Sequence, residues 1–195
     1  IYIATKTGST TVEGFWKDLE TSLNNLKTDY IDIYQFHNPS FCPKPGDGTG
    51  LYEAMLEAKA QGKIHFIGLT NHRLPVAIEA CESGLYDTIQ FPFSYLADQK
   101  DIDLVNKCKE NNIGFICMKA LSGGLINRSD AAYAYLAQFD NVLPIWGIQK
   151  ESELDEFISY QTKAPELTQE IQDLIEEVLK ENNFEDVYVA FSTYR

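Results

Sequence analysis

The chain contains 195 residues, of which 44% are hydrophobic, a composition typical of a folded domain and not of a disordered or fibrous chain. Its formal net charge of −13 at pH 7 would repel phosphate groups, so we expect neither nucleic acid nor an anionic membrane as a partner. No segment has the roughly 18 consecutive apolar residues of a membrane helix and no signal peptide opens the sequence, so we expect a cytoplasmic protein.

Short apolar segments alternate along the chain with longer segments whose apolar residues repeat every three or four positions. The short segments predict buried strands at residues 1–5, 30–36, 64–69, 88–91, 113–118 and 142–148. The longer segments predict helices at residues 12–26, 51–61, 75–83, 101–111, 131–138, 152–160 and 168–181. Thr10 and Glu13 form a candidate capping box for the first helix. The apolar residues 187–191 could form a further strand or a turn.

This order of elements predicts parallel strands joined by helical crossovers. A closed (β/α)8 barrel needs eight such units and about 250 residues, whereas six are visible and the sequence begins within a strand. We therefore expect an α/β fold, a parallel TIM barrel that is incomplete in this chain because its first two units precede it. A doubly wound sheet of six strands is the alternative. We assign residues 1–160 to the barrel and residues 161–195 to a C-terminal helix and tail packed on or beside it.

Polar residues occur at the ends of five successive strands, at the edge where barrel enzymes carry their active sites. They are Lys6, His37, Thr70 with Asn71, Gln90, and Lys119. Singly, each is more often a surface or capping residue than a functional one. Their recurrence at one edge predicts a common site. A lysine and a histidine there suit carbonyl or proton chemistry, because an ammonium tunes the pKa of a neighbour and an imidazole donates a hydrogen bond.

The four cysteines show neither the spacing of a metal site nor that of a redox pair. Cys81, Cys108 and Cys117 fall within apolar helix or strand patterns, where a thiol packs as a small hydrophobic group. We predict reduced structural thiols, with no disulfide and no metal.

Several of these segments resemble the aldo-keto reductase family. Residues Ala4–Lys6 resemble the strand that ends in the family's catalytic lysine, and Asp29–His37 the strand that ends in its catalytic histidine. Gly62–Asn71 is similar to the strand whose final Ser/Thr-Asn pair holds the nicotinamide carboxamide, a grip that a glutamine completes. The residues implied for that grip are Thr70, Asn71 and Gln90.

The resemblance also implies contacts for the rest of the cofactor. Met118 occupies the position at which many relatives stack a tyrosine on the nicotinamide ring, and Leu121-Ser122-Gly123-Gly124 resembles the loop whose backbone amides hold the pyrophosphate. Glu153 stands where relatives that prefer the phosphorylated cofactor have an arginine. Because a carboxylate there would repel a 2′-phosphate, we predict NAD(H) over NADP(H), with Lys150 as the one nearby cation that could reverse the preference.

The resemblance implies a nicotinamide-dependent oxidoreductase that reduces small aldehydes or ketones by hydride transfer. In the family, a tyrosine is the general acid, a lysine paired with an aspartate lowers its pKa, and a histidine orients the carbonyl. Lys6 and His37 match two of these roles. The tyrosine and aspartate are expected on the upstream units, so the chain alone is expected to be inactive. An iron–sulfur cluster is expected only if a C-terminal tail outside this chain exists, and the oligomeric state stays open.

Two other functions remain open on the sequence alone. A barrel of this kind could hold a nucleotide as a sensor or regulatory subunit without turnover, and the residues at the upstream strand ends would distinguish this from an enzyme. A lyase or isomerase of phosphorylated substrates would need a phosphate loop, for which Gly123-Gly124 is the candidate. No G-x-G-x-x-G follows a strand, which argues against a Rossmann-type site.

Overall fold

The computed structural model describes residues 1–181 and Phe184, so the predicted segment 187–191 lies outside the described residues. The chain forms two compact units. The first consists of residues 1–91 with 107–114, and the second of residues 92–106 with those from 115 onward. Both are built from parallel strands that alternate with helices, as the sequence predicts for successive units of a barrel.

The first unit contains strands that lie side by side in chain order, each parallel to the next. The register places Thr5 beside Tyr34, Phe36 beside Leu69, and Leu69 beside Ile89. A doubly wound sheet reverses its strand order at a switch point, and these strands show no reversal. The elements are β1 (Ala4–Thr7), α1 (Val12–Leu26), β2 (Ile31–His37), α2 (Leu51–Ala60), β3 (Ile64–Thr70), α3 (Leu74–Ser83) and β4 (Thr88–Pro92).

The second unit contains a pair of parallel strands in which Phe115 lies beside Val142 and Cys117 beside Pro144. A 3-10 turn at Ser122–Gly124 follows the first of these strands. The elements are α4 (Gln99–Glu110), divided between the two units after Asn106, then β5 (Gly114–Met118), α5 (Ser129–Leu136), β6 (Val142–Pro144), α6 (Glu151–Thr162) and α7 (Gln169–Glu181).

Helix α1 shows how an apolar stripe and a cap define an element. Phe15, Leu19 and Leu23 recur every four residues and are buried on one face. The N-terminal cap is Thr11, whose hydroxyl accepts a hydrogen bond from the backbone N–H of Gly14 at 3.2 Å. The predicted capping box at Thr10 is therefore wrong by one position, because the extended residue directly before the helix is Thr11.

Strand boundaries differ from the prediction where the backbone has other partners. β1 begins at Ala4 and not at residue 1, and the N–H of Ile3 donates to the carboxylate of Asp32 at 2.8 Å. β6 ends at Pro144, whereas the sequence predicted a strand through residue 148. Proline has no N–H, so Pro144 donates no backbone hydrogen bond to β5. The N–H of Ile145 donates one further bond, to the carbonyl of Cys117 at 2.9 Å.

The four cysteines are free thiols in this structure, and all of them are buried. They pack as small apolar groups within the helices, strands and loops that surround them. None of the helices in the described part of the chain is long and apolar enough to cross a membrane.

Candidate functional site

One face of the sheet in the first unit carries the polar residues predicted at the strand ends. Lys6 lies beside Gln35 in the register, His37 beside Thr70, and Thr70 beside Gln90. Partners in a parallel ladder project to the same side, and residues two apart on a strand do so as well. Lys6, His37, Thr70 and Gln90 therefore share this face.

Lys6 and His37 are the exposed members of the set. The pKa of His37 is lowered from its usual value, first by partial burial and then by the positive charges of Lys6 and His72. Because the two charges both disfavour protonation, His37 is a neutral imidazole at pH 7, with one nitrogen that donates and one that accepts. Such a group can hold a carbonyl oxygen by a hydrogen bond.

Thr70 and Gln90 are buried, and Gln90 is tied to a residue that the sequence analysis missed. The side-chain N–H of Gln35 donates to the amide oxygen of Gln90 at 3.0 Å, and Gln35 is itself 2% exposed. The amide oxygen of Gln35 is buried without a hydrogen-bond partner. The sequence contains an indication of this role, because Gln35 is a polar residue in a largely apolar strand and, two positions before His37, projects to the same face.

Asn71 differs from the expectation that it would open onto the same face. The residue is fully buried, and its side-chain amide is committed to the protein. Its Nδ2 donates to the carbonyl of Pro39 at 2.8 Å, and its Oδ1 accepts from the N–H groups of His72 and Arg73, each at 2.9 Å. In this structure Asn71 joins two loops and leads into α3.

A cavity of about 260 Å³ lies beside His37. It is lined on one side by residues 7–10, from the end of β1 and the loop to α1, and otherwise by residues 36–41, Pro43 and Leu51. The only titratable side chain in this lining is His37. The cavity therefore suits a small neutral ligand whose polar atom meets the imidazole.

The predicted pyrophosphate loop forms a tight turn in the second unit. Gly123 and Gly124 have φ angles of 70° and 97°, which residues other than glycine rarely adopt. The N–H of Ser122 donates to the carbonyl of Lys119 at 2.7 Å, and that of Gly124 to the carbonyl of Leu121 at 2.9 Å. Two of the four predicted amide donors thus already stabilise the turn. Met118, the last residue of β5, is half-buried.

The two residues predicted at the adenosine end lie at the start of α6. The Glu153 carboxylate accepts from the backbone N–H groups of Gln149 at 2.7 Å and Lys150 at 3.1 Å, and these bonds lower its pKa. Glu153 is therefore an ionised N-terminal cap of this helix. Lys150 is exposed directly before it. Within the described residues, no cluster of histidine, cysteine and acidic side chains could hold a metal ion.

Comparison with known proteins gives a consistent result. The family model described as the aldo/keto reductase family matches residues 1–135. A methylglyoxal reductase of Salmonella typhi is 37% identical over 115 residues, which cover 53% of this chain and 40% of that protein. An NADH-specific methylglyoxal reductase of Escherichia coli is 31% identical over 114 residues, which cover 58% of this chain and 35% of that protein. The chain thus matches less than half the length of these relatives.

Solved structures give the same fold. An aldo-keto reductase of Bacillus halodurans superimposes with a TM-score of 0.74 and 21% identity, covering 91% of this chain and 72% of that one. At this identity the likeness establishes the fold alone, which is the βα barrel that the sequence predicted.

Proposed function

Because the chain belongs to the aldo/keto reductase family, we propose that it forms part of the catalytic barrel of an enzyme that reduces small aldehydes or ketones with NADH or NADPH. The observation that carries this proposal is that the exposed side chains of Lys6 and His37 share one face of the sheet, with His37 lining a small cavity. The cofactor, when bound, supplies the hydride that is transferred to the carbonyl carbon.

The protein groups have separate tasks in this proposal. His37, held neutral, donates a hydrogen bond to the carbonyl oxygen and so orients the substrate. The ammonium of Lys6 lowers the pKa of the acid that protonates the same oxygen, which in this family is a tyrosine. Thr70 and Gln90 hold the nicotinamide carboxamide, and an amide-bearing ligand suits their surroundings because the nearby Gln35 has an unsatisfied buried oxygen.

In the second unit, we assign Met118 to the nicotinamide ring and the turn from Leu121 to Gly124 to the phosphates. The open space around Gly123 and Gly124 supports this assignment, because no atom outside the adjacent residues lies within 4 Å of where a Cβ would stand at either glycine. Lys150 and Glu153 lie at the adenosine end in the same proposal.

The proposed substrate class is a small, uncharged 2-oxoaldehyde. Two relatives are named methylglyoxal reductases, and the cavity beside His37 has room for a molecule of that size. Its lining of hydroxyl, proline and aromatic side chains has no cation to neutralise an acidic substrate. A charged sugar phosphate would therefore be a poor ligand.

The test is methylglyoxal-dependent oxidation of NADH and NADPH by the protein as its gene encodes it. Lys6→Met and His37→Gln should each lower kcat at least about 100-fold, the range expected for a lost proton-transfer or polarising group. The matched control is Lys17→Met, which removes an exposed lysine from α1 and should leave kcat unchanged. Tight cofactor binding with no reduction of any small carbonyl would favour the nucleotide-sensing alternative and would reject the proposed activity.

A further inference from the structure

The loop that follows Lys6 is largely exposed. It joins β1 to α1 through residues 8–11 and forms one wall of the cavity beside His37. No atom outside the adjacent residues lies within 4 Å of where a Cβ would stand at Gly8. The hydrogen bonds on either side of Gly8 therefore contribute to the conformation of this wall.

Asp18, in the second turn of α1, supplies those bonds. Its Oδ2 accepts from the hydroxyl of Thr7 at 2.6 Å and from the hydroxyl of Ser9 at 2.8 Å. The Thr7 hydroxyl oxygen also accepts from the N–H of Ser9 at 3.1 Å. One carboxylate oxygen thus holds both neighbours of Gly8, and Thr7 directly follows Lys6 in the chain.

The charge state and the surroundings of Asp18 fit this role. The Thr7 hydroxyl is the largest cause that lowers the pKa of Asp18, so the carboxylate is ionised at neutral pH. The Ser9 hydroxyl can approach α1 because residue 14 is glycine. A Cβ at Gly14 would lie 2.6 Å from the Ser9 hydroxyl oxygen. The loop and the helix therefore fit each other at this position.

We propose that Asp18 is a positioning residue, which fixes the β1–α1 loop and so holds Lys6 in place relative to His37 and sets the width of the adjacent cavity. The effect of Asp18 on catalysis rests on the function proposed above. Its effect on the position of Lys6 does not, because that concerns only the distance between the side chains of Lys6 and His37.

The pKa of His37 responds to the position of the loop and of Lys6, because burial, and then the charge of Lys6, lowers it. We would titrate His37 by NMR in the wild type and in three variants. Lys6→Met should raise the pKa of His37 and define the full effect of the Lys6 charge. Asp18→Ala should give at least half of that rise. Asp18→Asn should stay near the wild type, because its amide oxygen still accepts from both hydroxyls.

Direct electrostatics cannot imitate this result. Removing a carboxylate makes a nearby imidazolium less stable, so the loss of the Asp18 charge alone would lower the pKa of His37. A rise in Asp18→Ala with rescue in Asp18→Asn supports positioning. No change in Asp18→Ala, while Lys6→Met does move the pKa, overturns the proposal, and so does an unchanged pKa in Lys6→Met.

Milder variants cover the case in which Asp18→Ala does not fold. Thr7→Val and Ser9→Ala each remove one hydroxyl, so each should give part of the same rise in a protein whose thermal transition remains cooperative. If Thr7→Val and Ser9→Ala both fold and both leave the pKa of His37 at its wild-type value, the proposal is also overturned. In the encoded protein, Asp18→Ala should lower kcat for methylglyoxal about tenfold and raise KM. An inactive wild type would reject the proposed function, and the NMR titration alone would then decide the role of Asp18.

Discussion

The side-chain amide of Gln35 crosses β3 to donate a hydrogen bond to Gln90, and it does so at the one position in that strand where the residue is glycine. The bond measures 3.0 Å and joins β2 to β4. A Cβ at Gly68 would lie 2.7 Å from Cγ of Gln35 and 2.5 Å from the hydroxyl oxygen of Thr88. Since such separations do not occur between real side-chain atoms, Gly68 is what permits the Gln35–Gln90 contact.

We expect Gly68→Ala to destabilise the protein by about 2–3 kcal/mol, the cost of forcing a methyl group into a closely packed interior. Urea denaturation would measure the loss. The control is Gly147→Ala, where no atom lies within 4 Å of the added Cβ and stability should hardly change. If Gly68→Ala were as stable as the control, the crossing of β3 by Gln35 would not depend on the glycine.

Most of the fold could be predicted because its signals are local. The buried stripe of α1 and that of α7, formed by Ile171, Ile175 and Leu179, can be found from spacing alone. Boundaries were less certain, because they depend on which group satisfies the last backbone N–H. The cap at Thr11 and the end of β6 at Pro144 are two such cases.

The site was predictable only in part, for a related reason. Lys6 and His37 stand at strand ends, which the sequence reveals. The link between Gln35 and Gln90 spans 55 positions, and the role of Asp18 depends on space left at Gly14. Neither has a periodic signal. A glycine inside an apolar strand, as at Gly68, is the feature that could have indicated a close approach of side chains.

Asp101 should make the protein less stable at neutral pH than in mild acid. Burial, and then the negative charge of Asp98, raises the pKa of Asp101 to about 6 from 3.8. A raised pKa means that the stabilising contribution is complete below pH 3.8 and is lost as the pH rises through about 6. Asp101→Asn should therefore stabilise the protein by about 1–2 kcal/mol at pH 7, less than the full shift implies because the start of a helix favours an anion.

The same variant should have much less advantage at pH 4, where Asp101 is protonated in nearly all folded chains and so carries little buried charge. Thermal unfolding at the two pH values would measure the difference. Asp103→Asn, on the exposed side of α4, should change stability by no more than about 0.5 kcal/mol at either pH. A gain of equal size at pH 4 and pH 7 would show that packing, and not charge, explains Asp101→Asn.

The cysteines should react only when the protein unfolds. Burial raises the pKa of Cys42 and that of Cys117, and the pKa of Cys108 is raised by the adjacent thiol of Cys81 and by burial. The pKa of Cys81 is instead lowered, first by its hydrogen bond with Cys108, but its side chain is fully buried. A disulfide reagent reacts with an accessible thiolate, so it should modify all four cysteines only as the protein unfolds. Ser40→Cys, at an exposed loop position, should add a single fast phase. A fast phase in the wild type would contradict the buried, structural assignment.

The final prediction concerns the choice between NADH and NADPH and rests on Glu153 at the start of α6. The N–H groups of Gln149 and Lys150 could bind a phosphate, but both donate to this carboxylate. A 2′-phosphate bound there would lie close to the Glu153 carboxylate. The repulsion between two such solvent-exposed anions weakens binding by about 1 kcal/mol, and salt reduces it. We therefore expect NADH to bind the encoded protein at least as tightly as NADPH. Calorimetric titration of both cofactors at low and high salt would measure this.

Variants at the same helix end separate charge from capping. Glu153→Gln keeps an oxygen that can accept from the two N–H groups but removes the charge, so it should tighten NADPH binding about fivefold and leave NADH binding unchanged. Glu151→Gln, an exposed neutralisation in the same turn, is the matched control and should give a smaller effect. NADPH binding at least about tenfold tighter than NADH in the wild type, lost in Lys150→Ala, would reverse the assignment. It would identify Lys150 as the phosphate ligand. The attraction of its exposed ammonium for the 2′-phosphate would then exceed the repulsion from the Glu153 carboxylate, which the N–H groups of Gln149 and Lys150 hold in place.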